Sequence, residues 1–311
     1  RSTLDRSSAA SDVYKRQEVK NKINVDILLS KIEIQNKEIL KVIPESFVVD
    51  LEEWIKNPVW MKARKLEVVT NIFSMNANTL SNIKKAIADI WIEVLDCYPN
   101  LLSSPEWVLT KRQKELWVVC IDIWASTTWV TVYENWVLNY SAVIPLGWDN
   151  VTNDIALWLR TSTVIAEKVK LEYAELDLEN KEDFKDSSFD LSELWTDEIW
   201  EVSREYLSKI VTARYEEIFF FVREELKKIW RDGMLPEWAI CVWWASKMKW
   251  FTNLARTWLR LPVFIWLPVS KDDLVDASIS DPEFSAVIWT MVLSNLYNAV
   301  SYTHLRAHET R

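Results

Sequence analysis

The sequence predicts an α/β layered fold, and three observations support that prediction. Residues 118–140, "VVCIDIWASTTWVTVYENWVLNY", contain three short β-branched runs joined by turn-length connections, which predicts three antiparallel strands. Helical patterns follow at residues 151–159, 164–173 and 202–229. A buried strand, "WAICV", then precedes a helix, "MKWFTNLARTWL", and a further strand, "PVFI". Strands that alternate with helices in this way predict a sheet covered by helices.

The remaining elements are less regular. Two β-rich runs, "EILKVI" and "SFVVDL", are separated by Pro44, and "KLEVVTNIF" reads as another strand. A helix is predicted at residues 79–90, a short strand at "IEVLDCY", and a helix opened by Ser103, Ser104 and Pro105. "KRQKEL" is a charged link, the acidic residues 176–196 form a surface excursion, and a last helix spans residues 284–297.

The composition is unusual in two residue types. The chain of 311 residues has 20 tryptophans and 2 glycines, whereas average usage is about 7% glycine. Tryptophan stands where turns are predicted, as in Asn135-Trp136, Trp243-Trp244 and Gly147-Trp148. Glycine is the residue that reaches positive φ without steric cost. We therefore hypothesise that most of these tryptophans are glycines, written as tryptophan because UGA codons that encode glycine were translated as tryptophan.

The two ends differ from the rest of the chain. "RSSAASDVYKRQ" and "SYTHLRAHETR" lack apolar periodicity and resemble translated adapter sequence, so we exclude them from the fold prediction. Both histidines, His304 and His308, lie in the second tail, which excludes imidazole catalysis and histidine metal sites in the body. The net charge is −9, and both tails are basic, so the body is more acidic still. This acidity argues against a nucleic-acid partner.

The cysteines and the apolar runs are also informative. Cys97, Cys120 and Cys241 lack the spacing of metal or redox motifs and are predicted to be buried, reduced thiols. No apolar run approaches the ~18 residues typical of a membrane span.

Three short motifs suggest a nucleotide site. With glycine restored, residues 121–133 read "IDIGASTTGVTVY", a strand ending in Asp122 followed by small and hydroxyl residues. Such a hairpin lets backbone N–H groups approach phosphate, and the carboxylate can hold a divalent metal through water. An ordinary turn is the alternative, and Trp124 as written would fill the phosphate space.

The second and third motifs are weaker alone. "ICVWWASKMKW" becomes a strand, a Gly-Gly turn and a helix, which permits close approach of an anionic or planar ligand, although a plain β–α connection fits equally. In "AEKVK", Glu167 and Lys170 share a helical face, as either a surface ion pair or a ribose and base contact.

The order of these motifs resembles the actin-like ATPase superfamily, and within it the FtsA family of bacterial cell-division proteins. The resemblance lies in "VIPESFVVDLEEWIKNPVW", "VVCIDIWASTTWVTVY", "VIPLGWDNVTNDIALWLRT", "AEKVK", "ARYEEI" and "VWWASKMKWFTNLA". The family carries glycine where this chain has tryptophan at seven of these motif positions: Trp54, Trp60, Trp124, Trp148, Trp243, Trp244 and Trp250.

The resemblance implies roles for ten residues. The second phosphate loop would comprise Asp122, Trp124, Ala125, Ser126 and Thr127, with Asp122 on Mg²⁺ through water. Glu167 and Lys170 would contact ribose and adenine, and Trp243, Trp244 and Ala245 would form the adenosine motif. Ala125 and Ser126 replace family glycines but are small. Trp129 stands where the family often has Asp, which leaves a hydrolytic role there open.

The resemblance also implies an actin-like, ribonuclease H-like fold with partial subdomains. The expected parts are: a non-native tail, 1–17; the end of 1C, 18–56; the second half of 1A, 57–115; the first part of 2A, 116–173; an inserted helical 2B, 174–235; the second part of 2A, 236–275; a helix returning to 1A, 276–300; and a second tail, 301–311. The family's first phosphate loop and its C-terminal membrane-targeting helix are expected to lie outside this sequence. We accordingly expect the fragment alone neither to bind ATP well nor to reach a membrane.

By resemblance, the function is that of an ATP-binding, self-polymerising adaptor with Mg²⁺ as cofactor and at most slow ATPase activity. It would link the FtsZ ring to the inner face of the cytoplasmic membrane at the division site. Two alternatives share the core: a pilus-assembly homologue of the PilM type, and a sugar kinase or ATPase chaperone. The "IKNPVW" segment, which reads "IKNPVG" with glycine restored, favours division. A kinase would need an acidic residue from a first domain that the sequence does not show.

Overall fold

The computed structural model describes residues 17–18, 36–55, 58, 61–176, 188–190, 201–242, 246 and 248–266. The chain divides into two compact units, residues 1–99 and residues 100–311. The predicted helix at 284–297 and most of the acidic excursion at 176–196 lie outside the described residues. Each unit is described by itself below.

Unit 1 is built on a three-stranded antiparallel sheet. Its strands and helix are β1 (Gln17–Glu18), β2 (Lys37–Val49), β3 (Glu52–Ile55), β4 (Lys62–Ala63), β5 (Leu66–Asn76) and α1 (Ala77–Ala88). The sheet order is β3-β2-β5, and β1 pairs with β4. The Asn76 side chain caps α1 by accepting the N–H groups of Asn78 and Thr79 at 3.0 and 3.2 Å.

Two predictions in unit 1 were wrong. Pro44 does not divide two strands, because β2 continues through it and pairs Pro44 with Thr70. A proline fits there since β3 pairs only with the far end of β2, so the other side of Pro44 has no ladder bond from β3 to lose. The run "IEVLDCY" at residues 92–98 forms no strand, and Leu95 within it is exposed. Cys97 is correspondingly half-buried, not buried as predicted.

Unit 2 contains a five-stranded mixed sheet in the order β12-β11-β6-β7-β8. Its elements are α2 (Asn100–Val108), α3 (Lys111–Glu115), β6 (Val118–Ile123), β7 (Thr128–Glu134), β8 (Val137–Ile144), α4 (Trp148–Leu159), α5 (Thr163–Tyr173), β9 (Ser188–Asp190), β10 (Glu201–Ser203), α6 (Arg204–Lys228), β11 (Ala239–Val242), α7 (Phe251–Leu259) and β12 (Val263–Ile265). Strands β6, β7 and β8 are antiparallel, as predicted, whereas β11 runs parallel to both β6 and β12.

The core of unit 2 lies between this sheet and its helices. Every residue of β6 and β11 is buried. Helix α6 contributes Tyr215 and Phe219, whose rings meet the Phe251 ring edge-on at centroid distances of 5.8 and 5.4 Å. Aromatic pairs in this geometry add to the stabilisation that burial gives. Cys120 and Cys241 are buried in the sheet as predicted.

The N-terminal side of unit 2 differs from the prediction in two places. Helix α2 begins at Asn100, so Pro105 lies inside the helix and does not open it. The link "KRQKEL" contains the short helix α3, whose first turn is closed by a capping box between Thr110 and Gln113. Helix α2 packs against β6 and β7.

None of the helices in the described part of the chain is both long enough and apolar enough to cross a membrane.

Candidate nucleotide site

The carboxyl ends of two parallel strands meet at one edge of the sheet. Asp122 of β6 is level with Val242, the last residue of β11. The first predicted phosphate motif follows β6 and the second follows β11, so both begin at the same edge. In open α/β sheets, ligands bind at the carboxyl ends of parallel strands. Trp243, Trp244 and Ala245 themselves lie outside the described residues.

The loop after β6 is closed by its own backbone and by the start of α4. The Trp124 N–H donates to the Thr127 carbonyl at 2.8 Å. The N–H groups of Trp148 and Asp149 donate to the carbonyls of Trp124 and Ala125 at 2.9 and 2.7 Å. Ala125 and Ser126 are exposed at the tip, while Thr127 is half-buried.

Gly147 permits this close approach of loop and helix. A Cβ atom there would lie 2.2 Å from the Trp124 carbonyl oxygen and 2.6 Å from that of Ala125. The contact admits no side chain, so one of the two glycines written in the sequence occupies a position that requires it. The sequence showed the glycine but not the loop that it contacts.

Asp122 is a buried carboxylate with only part of its hydrogen-bonding capacity used. It is 2% exposed, and its Oδ2 accepts the Ser104 hydroxyl at 2.7 Å. Its Oδ1 has no donor in hydrogen-bonding geometry, although the Trp124 indole lies near enough to favour the charged form. Burial raises the pKa of Asp122 to about 6, against the smaller lowering effect of Ser104 and Trp124.

Glu167 and Lys170 are brought together, as their spacing predicted, at 2.6 Å between Oε2 and Nζ. The two side chains are not equally accessible, because Lys170 is 0% exposed and Glu167 is 39% exposed. Burial lowers the pKa of Lys170 to about 8, an effect that the Glu167 carboxylate partly offsets. The acid is therefore the member of the pair that can meet a ligand directly in this conformation.

Two residues to which the motifs assigned no ligand contact complete this pair. Thr152 of α4 donates its hydroxyl to Glu167 Oε2 at 2.5 Å and accepts from Lys170. The Trp148 indole lies over the Lys170 ammonium, 3.9 Å from it, and donates to Glu167 Oε1 at 3.1 Å. A planar ring therefore already covers the face where a base was expected.

Two further indoles lie at the phosphate hairpin. The rings of Trp124 and Trp129 stack with centroids 5.5 Å apart, and Trp129 Nε1 donates to the Thr127 hydroxyl at 2.9 Å. Thr127 is a predicted phosphate contact, so an indole engages its hydroxyl in this chain. Trp124 was predicted to fill this space, but its stacking with Trp129 was not predicted.

The backbone at several tryptophans is that of glycine. Twelve non-glycine residues of the described chain have positive φ, and six of them are tryptophan: Trp54, Trp91, Trp136, Trp230, Trp238 and Trp250, with φ between 60° and 74°. A left-handed backbone costs L-residues other than glycine roughly 1–2 kcal/mol each. A bulky residue in this region is an outlier.

The β7–β8 turn shows the same pattern at a predicted position. Asn135 and Trp136 have φ of 50° and 69°, and a two-residue hairpin with two positive φ values is the type I′ turn that Asn-Gly favours. These conformations favour the hypothesis that the six positions are glycine. Below, the glycine form denotes the chain with glycine at these six positions and at Trp124, Trp148, Trp243 and Trp244.

An open groove of about 350 Å³ lies between α4 and α6, but none of the predicted site residues lines it. Three of its four charged lining residues pair with one another, since Arg214 binds Asp154 through two hydrogen bonds and Glu217 through a third. The described residues hold no group of three or more His, Cys, Asp or Glu side chains able to bind a metal ion. A metal at Asp122 would therefore depend on water or a ligand for its other contacts.

The fold of this chain is similar to that of actin-like proteins. The PilM-PilN type IV pilus biogenesis complex aligns with a TM-score of 0.60 at 14% identity, covering 86% of this chain and 72% of that one. MreB5 of Spiroplasma citri bound to ADP aligns with a TM-score of 0.55 at 14% identity, covering 72% and 67%. At such identities the likeness shows the actin-like fold alone, so it does not favour the pilus alternative.

The sequence comparisons then give the family. The sequence model "Cell division protein FtsA" matches residues 119–288, and "SHS2 domain inserted in FTSA" matches residues 6–74. The chain belongs to the FtsA family. The second match extends into the tail, residues 1–17, that the sequence analysis excluded.

Individual relatives agree with this assignment. Cell division protein FtsA of Pseudomonas aeruginosa is 30% identical over 250 residues, which cover 80% of this chain and 59% of the relative. The Bacillus subtilis protein of the same name is 34% identical over 193 residues, covering 61% and 43%. The chain thus spans about half the length of these two relatives.

Proposed function

We propose that the full-length protein is an ATP-binding, actin-like adaptor of cell division that binds FtsZ, self-polymerises and attaches the FtsZ ring to the cytoplasmic membrane. Membership of the FtsA family supports the cell-division role. Membrane attachment would use the C-terminal amphipathic helix expected from the family, at the inner membrane face of the division site. In this role ATP binding organises assembly, and turnover is slow or absent.

The convergence at one sheet edge carries the nucleotide part of the proposal. Asp122, the loop that follows it and the end of β11 meet there, and Gly147 brings α4 against the same loop. Backbone N–H groups and the hydroxyls of Ser126 and Thr127 are suited to phosphate oxygens. Glu167 is suited to a ribose hydroxyl, with Lys170 buried behind it. MreB5 structures of the same fold contain AMPPNP or ADP.

The residues present also fit Mg²⁺. Asp122 Oδ1 is a buried carboxylate oxygen without a hydrogen-bond donor, and hard cations prefer oxygen ligands. Asp122 would hold the ion through water, and the ion would neutralise charge on the phosphates. Trp124 lies near this carboxyl group and Trp148 covers Lys170, so both must be absent for a nucleotide to enter. The proposal therefore applies to the glycine form.

Co-sedimentation of the full-length glycine form with FtsZ filaments tests the adaptor role. We expect more of the protein to pellet with intact FtsZ than with FtsZ that lacks its C-terminal tail, after subtraction of the amount that pellets alone as its own polymer. Equal pelleting with both, or none with either, would contradict the proposal.

A further inference from the structure

Ser104 is a buried hydroxyl on α2, outside all three nucleotide motifs. It is 0% exposed, and it donates to Asp122 Oδ2 at 2.7 Å across eighteen residues of sequence. A hydroxyl has one proton to donate. Ser104 therefore commits its proton to the one carboxylate that the proposed function places near a metal ion.

The neighbouring serine shows what a purely structural role looks like on this helix. Ser103 is also 0% exposed, yet its hydroxyl donates to the Asn100 carbonyl of its own helix at 3.0 Å. Serine hydroxyls in helices commonly form such local bonds to preceding carbonyls. Ser104 instead points to another element, so the two serines differ in what they bind and not in burial.

The bond leaves the carboxylate half satisfied. Ser104 engages Oδ2, while Oδ1 has no donor in hydrogen-bonding geometry. If the Ser104 hydrogen bond served only to hold α2 against β6, we would expect both buried oxygens of Asp122 to have donors. A buried carboxylate oxygen without a donor costs free energy of folding. A carboxylate with one oxygen held by a partner and the other without a donor in hydrogen-bonding geometry is the arrangement that a partner can orient toward a further ligand.

We propose that Ser104 is a positioning residue for the nucleotide site: its hydroxyl holds the Asp122 carboxylate so that Oδ1 faces the hydrated Mg²⁺ of a bound nucleotide. This inference rests on the proposed nucleotide function. Ser104 touches neither the nucleotide nor the metal, and it acts through Asp122. Its effect should therefore appear in the metal-dependent part of binding.

The test is ATP affinity of the full-length glycine form, measured by calorimetry with Mg²⁺ and with EDTA. Loss of such supporting partners typically costs about 10–100-fold in metal affinity. We expect Ser104→Ala to weaken Mg·ATP binding about tenfold, at the lower end of that range, and to change metal-free ATP binding less than about twofold. Ser103→Ala, the matched control, should leave both affinities unchanged. Ser104→Thr should keep the higher affinity for ATP in the presence of Mg²⁺, because threonine retains the hydroxyl.

A double-mutant cycle distinguishes positioning from loss of stability. In an Asp122→Asn background, Ser104→Ala should have no further effect on Mg·ATP affinity. Electron paramagnetic resonance of Mn²⁺ should show weaker Mn²⁺ binding for Ser104→Ala alone. If the unsubstituted glycine form binds ATP, and Ser104→Ala and Ser103→Ala have the same Mg·ATP affinity, the Ser104 inference fails while the proposed function stands. If the unsubstituted glycine form binds no ATP, both fail.

Discussion

Trp230 lies at the end of α6 in a position that glycine normally occupies. Its N–H donates to the Lys227 carbonyl at 3.0 Å, and the Arg231 N–H donates to the Leu226 carbonyl at 3.0 Å. These two bonds define a Schellman motif with Trp230 as the left-handed residue, at φ 60°. Trp230→Gly should therefore stabilise unit 2, although it removes the largest side chain.

The magnitude follows from three contributions. Relief of the left-handed backbone is worth roughly 1–2 kcal/mol, and the added freedom of glycine in the unfolded chain costs roughly 0.5–1 kcal/mol. The indole is 85% exposed, so its removal sacrifices little buried area. We expect a net gain of about 1 kcal/mol in the free energy of unfolding.

Urea unfolding followed by circular dichroism measures this gain in the tryptophan form of the chain. Trp230→Ala is the matched control, because alanine also removes the indole but keeps the Cβ that strains the backbone. Trp258→Gly, in the helical backbone of α7, should destabilise by about 1 kcal/mol or more. If Trp230→Gly and Trp230→Ala were equally stable, or if glycine were the less stable, the left-handed argument would be refuted.

Three further predictions concern the site and its glycines. Gly147→Ala should destabilise unit 2 by about 2–3 kcal/mol in the same assay, because its Cβ would overlap the Trp124 and Ala125 carbonyls; an unchanged midpoint would contradict the contact. The pKa of Asp122 is raised from 3.8 to about 6 in the folded state. Protonation of Asp122 therefore stabilises the folded state below about pH 4. This contribution, on the order of 3 kcal/mol of unfolding free energy, is lost as the pH rises through about 6. Asp122→Asn should abolish this loss in urea unfolding at pH 4 and pH 7, and an identical pH dependence in both proteins would contradict it. Mass spectrometry of the protein from its source organism should find glycine at Trp136 and Trp230, and peptides with tryptophan masses there would exclude the glycine hypothesis.

The regular elements of unit 2 could be predicted because their patterns are local. The helix predicted at residues 202–229 spans Arg204–Lys228, and the three strands of 118–140 pair as expected. β-Branched runs between short turns indicate strands, and a 3.6-residue apolar period indicates the buried face of a helix, so tryptophans at other positions do not obscure these patterns. Of the six tryptophans with positive φ, Trp54 lies within β3, and the other five lie outside the strands and helices.

Contacts between distant residues could not be predicted. Thr152 meets Lys170 across eighteen residues, as Ser104 meets Asp122, and neither hydroxyl belongs to a recognisable spacing. The burial of Lys170 was also missed, because an i to i+3 ion pair is usually exposed and only the packing of α4 on α5 encloses it. In unit 1, Pro44 was predicted to separate two strands, but β2 continues through it, and β3 does not pair with β2 at that position.

Calorimetric titration of ATP with Mg²⁺ into the full-length protein, in both the glycine form and the tryptophan form, tests most directly whether this sheet edge is a nucleotide site built on glycine. We expect saturable binding by the glycine form. We expect none by the tryptophan form, in which Trp148 covers Lys170 and Trp124 lies near the Asp122 carboxyl group. Equal binding by the two forms would contradict the role of the glycines, and absence of binding by the glycine form would contradict the nucleotide site itself.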